Sequence, residues 1–155
     1  MIRTALLLPL LLAACTAGVS TGTQSPAGGD ALAQVGRWKL QSAEDSQGRP
    51  IAAALPQGRP VHSLVFVDGQ LAIEGGCNHI GARYRIDRSG RLVVPEVEST
   101  VRACLDQDLM AADRAVSALL HGTSEWSIAE SYPEQLSLQQ TDGRRSHWVA
   151  VRPAH

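Results

Sequence analysis

Gly75-Gly76-Cys77-Asn78 is the stretch whose reading decides the fold of this chain. Two glycines ahead of a cysteine and an asparagine suit neither a strand nor a helix interior. Glycine accepts positive φ freely, and asparagine does so better than most residues. The spacing predicts a sharp bend that closes a strand over 71–74 and carries one thiol inward. A second thiol, Cys104, follows another extended run, 97–100, just ahead of a helical pattern. If the two meet, they tie the sheet to the entrance of that helix.

Working outward from the bend, the pattern alternates between short strands and turn residues. Trp38 and Leu40 share one face of a first strand, which runs to about Ala43. Residues 44–60 are polar and then rich in Pro, Gly and Ala, an excursion with a short turn around 51–55. A strong strand over 61–67 leads to Asp68-Gly69, a two-residue hairpin signal of the type I′ kind. After the bend, 82–86 alternates Tyr84 and Ile86 with Arg83 and Arg85. A turn at Asp87-Arg88-Ser89-Gly90 returns to 91–94, and 97–100 follows Pro95. Leu105, Leu109, Ala112, Val116 and Leu119 then recur at helical spacing as a core-facing stripe. Asp106 is the expected N-cap and His121-Gly122 the expected stop. Strands over 125–129, 135–139 and 146–152 close the chain, with Asp142-Gly143 in the last turn. The sum is α+β: a curved antiparallel sheet or partial barrel of about eight short strands with one packed helix.

The N-terminus reads as export. Arg3 precedes an apolar run, 5–12, broken only by Pro9. It is too short to span a bilayer and has the layout of a secretory signal. It ends in Leu12-Ala13-Ala14-Cys15, which resembles the bacterial lipobox. That resemblance implies a lipoprotein signal peptide over 1–14, cleavage before Cys15, and acylation of Cys15 with palmitate-type chains. Thr16, rather than Asp, follows the cysteine; bacterial sorting rules then imply the outer membrane, with the protein facing the periplasm. Residues 15–31 comprise the lipidated cysteine and a tether of Thr, Ser, Gly, Ala and Pro, too poor in bulky side chains to fold. The folded domain is expected over 32–155.

Cysteine arithmetic agrees with export. Three cysteines are odd for an exported chain, but assigning Cys15 to lipid leaves an even pair. Cys77 and Cys104 then lie where a disulfide persists, the alternative being two buried reduced thiols. Charge is nearly balanced, with 14 Lys+Arg against 15 Asp+Glu. No basic patch invites nucleic acid, and no polybasic segment invites an acidic lipid surface.

The combination resembles the META domain (HslJ-like) family across about 36–151. Gly36, Trp38 and Leu40 match its opening Gly-x-Trp-x-Leu. Gly76-Cys77-Asn78, with Gly81 and Tyr84, matches its most specific element, and Thr100 with Cys104 matches the next. Leu119-Leu120 and Leu136-x-Leu138 complete the pattern. The resemblance implies a small β-rich fold with one helix, an envelope location and a role in stress response or antibiotic tolerance. It implies no catalytic activity.

Candidate chemistry is thin. Cys77, His79, His62 and Cys104 could be weighed as a metal set, but Cys-x-His lacks the second ligand pair of a structural zinc site. Cys77 with His79 could be a nucleophile and base, but no orienting third group is legible. Gly75-Gly76 lacks phosphate-loop spacing. Trp38, Trp126 and Trp148 read as core or sheet-face packing before a ligand pocket. Arg83, Arg85, Arg88 and Arg91 read as a solvated face, the sharper alternative being contact with an anionic envelope partner. The expectation is a non-enzymatic, membrane-anchored module with no cofactor and no metal, binding an envelope protein partner. The alternative is a carrier for a lipid or hydrophobic small molecule in an apolar pocket.

Overall fold

The structure, a computed structural model, describes residues 27–59, 61–102 and 104–152. Helix α1 (Ala27–Gln34) leads into β1 (Trp38–Glu44). Two short 3-10 turns, Ala52–Ala54 and Pro56–Gly58, precede β2 (Ser63–Val67) and β3 (Gln70–Glu74). Then come β4 (Ile80–Arg83), β5 (Arg85–Ile86), β6 (Leu92–Val94) and β7 (Val97–Ser99). Helix α2 (Gln107–Leu120) is followed by β8 (Gly122–Ala129), β9 (Gln135–Gln140) and β10 (Arg145–Ala150). All strands join one antiparallel sheet in the order β5-β6-β8-β9-β10-β1-β2-β3-β4-β7.

Ten segments stand where about eight strands were expected, and the register explains the difference. Ile86 and Arg85 pair with Leu92 and Val93, while Ala82, Gly81 and Ile80 pair with Val97, Glu98 and Ser99. Between these ladders two residues, Arg83 and Tyr84, oppose three, Val94, Pro95 and Glu96. This is a β-bulge in one long hairpin, and Pro95 suits it because proline has no N–H to give a ladder. The hairpin bends there, so its two halves serve opposite edges: β4 pairs with β3 and β6 pairs with β8. The sheet therefore curls into a partial barrel whose two edges share a single hairpin. Tyr84 sits at the bend; its N–H donates to the Gly69 carbonyl, and its ring packs edge-on against Phe66 at 5.0 Å.

The inward face of the barrel is the core. Trp38, Trp148, Phe66, Leu40, Leu64, Leu71, Leu92, Leu136 and Leu138 are all but fully buried, which disposes of Trp38 and Trp148 as pocket lining. Trp126 is half-buried and donates its indole N–H to the Gly90 carbonyl. The expected turns are in place. Asp68 and Gly69 both have positive φ, 48° and 75°, as a type I′ hairpin requires. Asp87-Arg88-Ser89-Gly90-Arg91 forms its expected turn, and Asp45-Ser46-Gln47-Gly48-Arg49, which was not expected, builds the same one. In each, the Asp carboxylate accepts from two backbone N–H groups and from its own arginine.

Two helices close the two mouths. Strand direction places the start of β1, the end of β10 and the β2–β3 and β8–β9 turns at one mouth, with α1. The other mouth carries the 3-10 turns, the Gly75–Asn78 bend, the β9–β10 turn and α2. Helix α1 runs across the expected junction of tether and domain at residues 31 and 32, and Leu32 and Val35 bury into the barrel mouth. The residues expected to form signal, lipidation site and the first part of the tether, 1–26, lie outside the described residues. Helix α2 has Asp106 as its N-cap, accepting from the Asp108 and Leu109 N–H groups. Leu105 does not join its stripe: it lies before the cap and is fully exposed, so the buried face is Ala112, Asp113, Val116, Leu119 and Leu120.

Candidate functional site

The Gly75-Gly76-Cys77-Asn78 bend organises the α2 mouth. Gly75 has φ +101°, and a Cβ on it would overlap the Val61 carbonyl. Gly76 is required for space instead: a Cβ there would overlap Asp113 Oδ1 and crowd His62 Nε2. Asn78 has no positive φ, so the bend does not need it for backbone freedom. It is there for its hydrogen bonds.

Those bonds form a chain across three elements. Asp113, 3% exposed in the middle of the α2 stripe, presents its carboxylate to the bend. Its Oδ1 lies 2.9 Å from Nε2 of His62, itself wholly buried. Its Oδ2 accepts from the Asn78 backbone N–H at 2.8 Å and from Asn78 Nδ2 at 2.9 Å. On the far side, Asn78 Oδ1 accepts from the Arg102 N–H at 2.8 Å and from the Thr100 hydroxyl at 3.4 Å. The same hydroxyl oxygen accepts from the His79 N–H at 3.0 Å. A buried polar pair of this kind contributes little net stability by itself, but removing one partner leaves the other unsatisfied in a low dielectric. The network is therefore an all-or-none clamp joining α2, the start of β2, the bend and residues 100–102. His62 Nδ1 is buried without a hydrogen-bond partner among the described residues.

Cys77 and Cys104 form a disulfide, with Cα atoms 6.2 Å apart, on the other flank of the same segment. The bend holds residues 100–104 by a side chain at one point and a covalent bond at the next. Between and beside these anchors, Val101 and Leu105 stand fully exposed. Large apolar side chains held out from a doubly tethered segment are the α2 mouth's most distinctive surface feature.

The other residues of the expected pattern fall into place around the barrel. Trp38 Nε1 donates to the Leu32 carbonyl at 2.9 Å, fastening α1 onto β1, and Gly36 (φ +82°) ends that helix. Gly81 lies within β4, where an added Cβ would make only ordinary contacts; nothing in the structure explains the glycine. Of the residues weighed as metal ligands, both thiols are in the disulfide and His62 faces Asp113. His79 is exposed, and it contributes its backbone, not its ring, to the clamp. Among the described residues no group of three His, Cys, Asp or Glu is placed to hold a metal ion. Arg83, Arg85, Arg88 and Arg91 are exposed, Arg91 paired with Asp87.

Asp113 was absent from the sequence reading. A signal existed: an acid at the centre of an apolar helical stripe is almost never buried unpaired. Electrostatics elsewhere are those of turns and rims. The Ser89 hydroxyl and the Arg91 N–H hold the Asp87 carboxyl well below the ordinary range. The Arg49 and Arg144 N–H groups do the same for Asp45 and Asp142, and the Arg152 guanidinium for Glu134.

A family model described as META domain matches residues 30–152. No curated protein matches the chain. Among solved structures, the NMR structure of a protein from Burkholderia xenovorans is similar with a TM-score of 0.66 at 18% identity, covering 93% of this chain and 100% of that one. A second NMR structure is similar with a TM-score of 0.53 at 18% identity, covering 79% of this chain and 93% of the other. At this identity the likeness speaks for the fold.

Proposed function

The chain belongs to the META domain family, and from that premise we propose that it is a non-enzymatic, lipid-anchored module of the cell envelope that acts by binding a protein partner. The observation that carries this reading is the use to which the motif is put. The groups with chemical reactivity, Cys77, Cys104, His62 and Asp113, are spent on holding one surface segment in place. That segment offers Val101 and Leu105 to solvent with little freedom left to lose on binding, which is what an interaction site gains from preorganisation. Anchoring rests on the lipobox-like Leu12-Ala13-Ala14-Cys15, with the outer membrane facing the periplasm as the expected address. Stress or antibiotic tolerance is the expected physiological setting.

Two variants test the reading in a strain lacking the chromosomal copy. Wild-type protein is expected to fractionate with membranes, carry acyl chains on Cys15 and restore tolerance. Cys15→Ala is expected to release the domain into the soluble periplasm. The double variant Val101→Asp, Leu105→Asp is expected to fold, remain anchored and fail to restore tolerance. Full restoration by the double variant would remove the interaction segment from the account; a soluble wild-type protein would remove the anchor.

The carrier reading keeps one specific location. Aromatic and leucine side chains fill the barrel interior, so a ligand would lie outside it, in a cleft of about 370 Å³ between α1 and the bent hairpin. Ala33, Tyr84 and Ile86 supply its apolar lining, and Asp30, Asp68 and Arg85 its polar rim. A hydrophobic molecule that leaves the native protein only on denaturation, and whose retention falls in Ile86→Asp, would favour this second reading.

A further inference from the structure

We infer that the α1 mouth of the barrel rests on the bilayer surface through Val67, Tyr132 and Val151, turning the Val101 and Leu105 segment away from the membrane. This rests on the lipid-anchor reading above and adds an orientation to it.

Strand direction supplies the first argument. Val67 ends β2, Val151 follows β10, and Tyr132 lies in the turn between β8 and β9. The pairings Trp38 with Ala150, Trp38 with Leu64, and Gln135 with both Val149 and Ala129 put all three residues at the mouth where β1 begins. Among the described residues, five large apolar side chains are well exposed. Three are these, with Tyr132 at 95%, and the other two are Val101 and Leu105 at the opposite mouth.

Chain connectivity supplies the second. Helix α1 covers this mouth, and Cys15 precedes its first residue by twelve positions. Twelve residues can reach at most about 43 Å in any conformation. The lipidated cysteine is thus tied to the fold at the end that carries the apolar residues.

Side-chain chemistry supplies the third. Tyrosine has an apolar body and a polar tip, the character enriched at headgroup depth. Two arginines at this mouth are engaged, Arg37 with Glu74 and Arg152 with Glu134; Arg83 and Arg85 are exposed there, and Asp30, Asp68 and Glu130 offset them with negative charge. The free charges at this mouth carry no positive excess, so the contact is apolar in the main and is not expected to require anionic lipid.

The experiment uses the full acylated protein in vesicles of phosphatidylethanolamine and phosphatidylglycerol, with and without lipids brominated in their acyl chains. Tyr132→Trp and Val101→Trp each add one indole to the background of three tryptophans. The emission added at 132 is expected to fall as bromolipid is introduced, and the emission added at 101 to remain. The loss at 132 is expected to persist at about 1 M salt, where the screening length is about 3 Å. Amide exchange of wild-type residues 130–134, slower on vesicles than in detergent micelles, gives a second reading without substitution. Equal quenching at both positions, or quenching at 101 alone, overturns the orientation. Protection of 130–134 that grows with protein density at fixed lipid assigns the patch to a second copy and also overturns it. An intact mass without acyl chains on Cys15 overturns the anchor reading instead, and is seen before any vesicle is made.

Discussion

At one mouth of the barrel, α1 is held by apolar burial: Leu32 is wholly buried, and a single indole hydrogen bond from Trp38 fixes its carbonyl. At the other mouth, α2 is held through a buried carboxylate that serves a histidine and an asparagine, with a disulfide alongside. Each mouth corresponds to one short motif, Gly36-x-Trp38 for the first and Gly76-Cys77-Asn78 for the second. The difference lies in how each arrangement fails. Apolar burial is graded, because a truncated side chain loses contacts in proportion and neighbours partly collapse. A buried polar network is cooperative, because removing one member leaves the rest unpaired. The α2 mouth, where the presented segment lies, is the one built to hold a single geometry.

The largest expected effect is Asp113→Ala. It should cost about 3–5 kcal/mol in urea unfolding, since His62 and the Asn78 amide lose their shared partner while buried. Amide exchange at Arg102 should rise with it, because Asn78 no longer has a fixed side chain to accept that N–H. A loss below 1 kcal/mol would mean that the clamp is incidental. Next is reduction of the Cys77–Cys104 bond, or its replacement by Cys77→Ser with Cys104→Ser. With a sequence separation of 27, chain entropy predicts a loss of about 3.6 kcal/mol. Leu32→Ala sharpens the contrast from the other side. It is expected near the lower end of the usual range for such truncations, about 2–3 kcal/mol, because a barrel mouth can relax toward the gap. Exchange at Arg102 should stay unchanged in this variant; a coupled rise would show that the two mouths form one cooperative unit.

The smallest effect concerns acid. The carboxyls of Asp45, Asp87, Asp142 and Glu134 are held below their ordinary range by hydrogen bonds from N–H, hydroxyl and guanidinium donors. A depressed folded pKa contributes stability that is fully present above the unfolded value, near pH 4, and is lost as pH falls toward the folded one. Melting temperature should therefore decline on acidification below about pH 5. Asp87→Asn, which touches neither mouth, should flatten part of that decline while leaving the neutral-pH contrast between Asp113→Ala and Leu32→Ala intact.

Much of this fold was legible because its signals are local. Asp68-Gly69 and Asp87-Arg88-Ser89-Gly90 carry their geometry in adjacent residues. Asp106 and His121-Gly122 bracket α2, and alternation marks the strands. Helix α1 was missed because its eight residues, Ala27-Gly28-Gly29-Asp30-Ala31-Leu32-Ala33-Gln34, have poor intrinsic helicity. It exists because Leu32 and Val35 find a hydrophobic mouth to bury in, a reward that local propensity does not register. The strand read over 82–86 was misjudged for a related reason. A bulge depends on what faces it, and only the pairing of Arg85 with Val93 and of Ala82 with Val97 reveals the extra residue.

The candidate site divides along the same line. By itself the sequence determined that Gly76, Cys77 and Asn78 act together, that Cys77 and Cys104 are the natural pair, and that the chain carries the META pattern. Residue type suffices for the bend, since glycine and asparagine are disfavoured in a strand interior; an even pair left after Cys15 suffices for the thiols; and the META pattern rests on family resemblance. Only the tertiary structure decided what the purpose is. The glycine makes room for a carboxylate 37 positions downstream, the asparagine reads that carboxylate, and His62, just ahead of β2, meets its other oxygen. Hydrogen bonds reach about 3 Å whatever the sequence separation, so partners this distant along the chain become visible only once the barrel has curled and set α2 across its mouth.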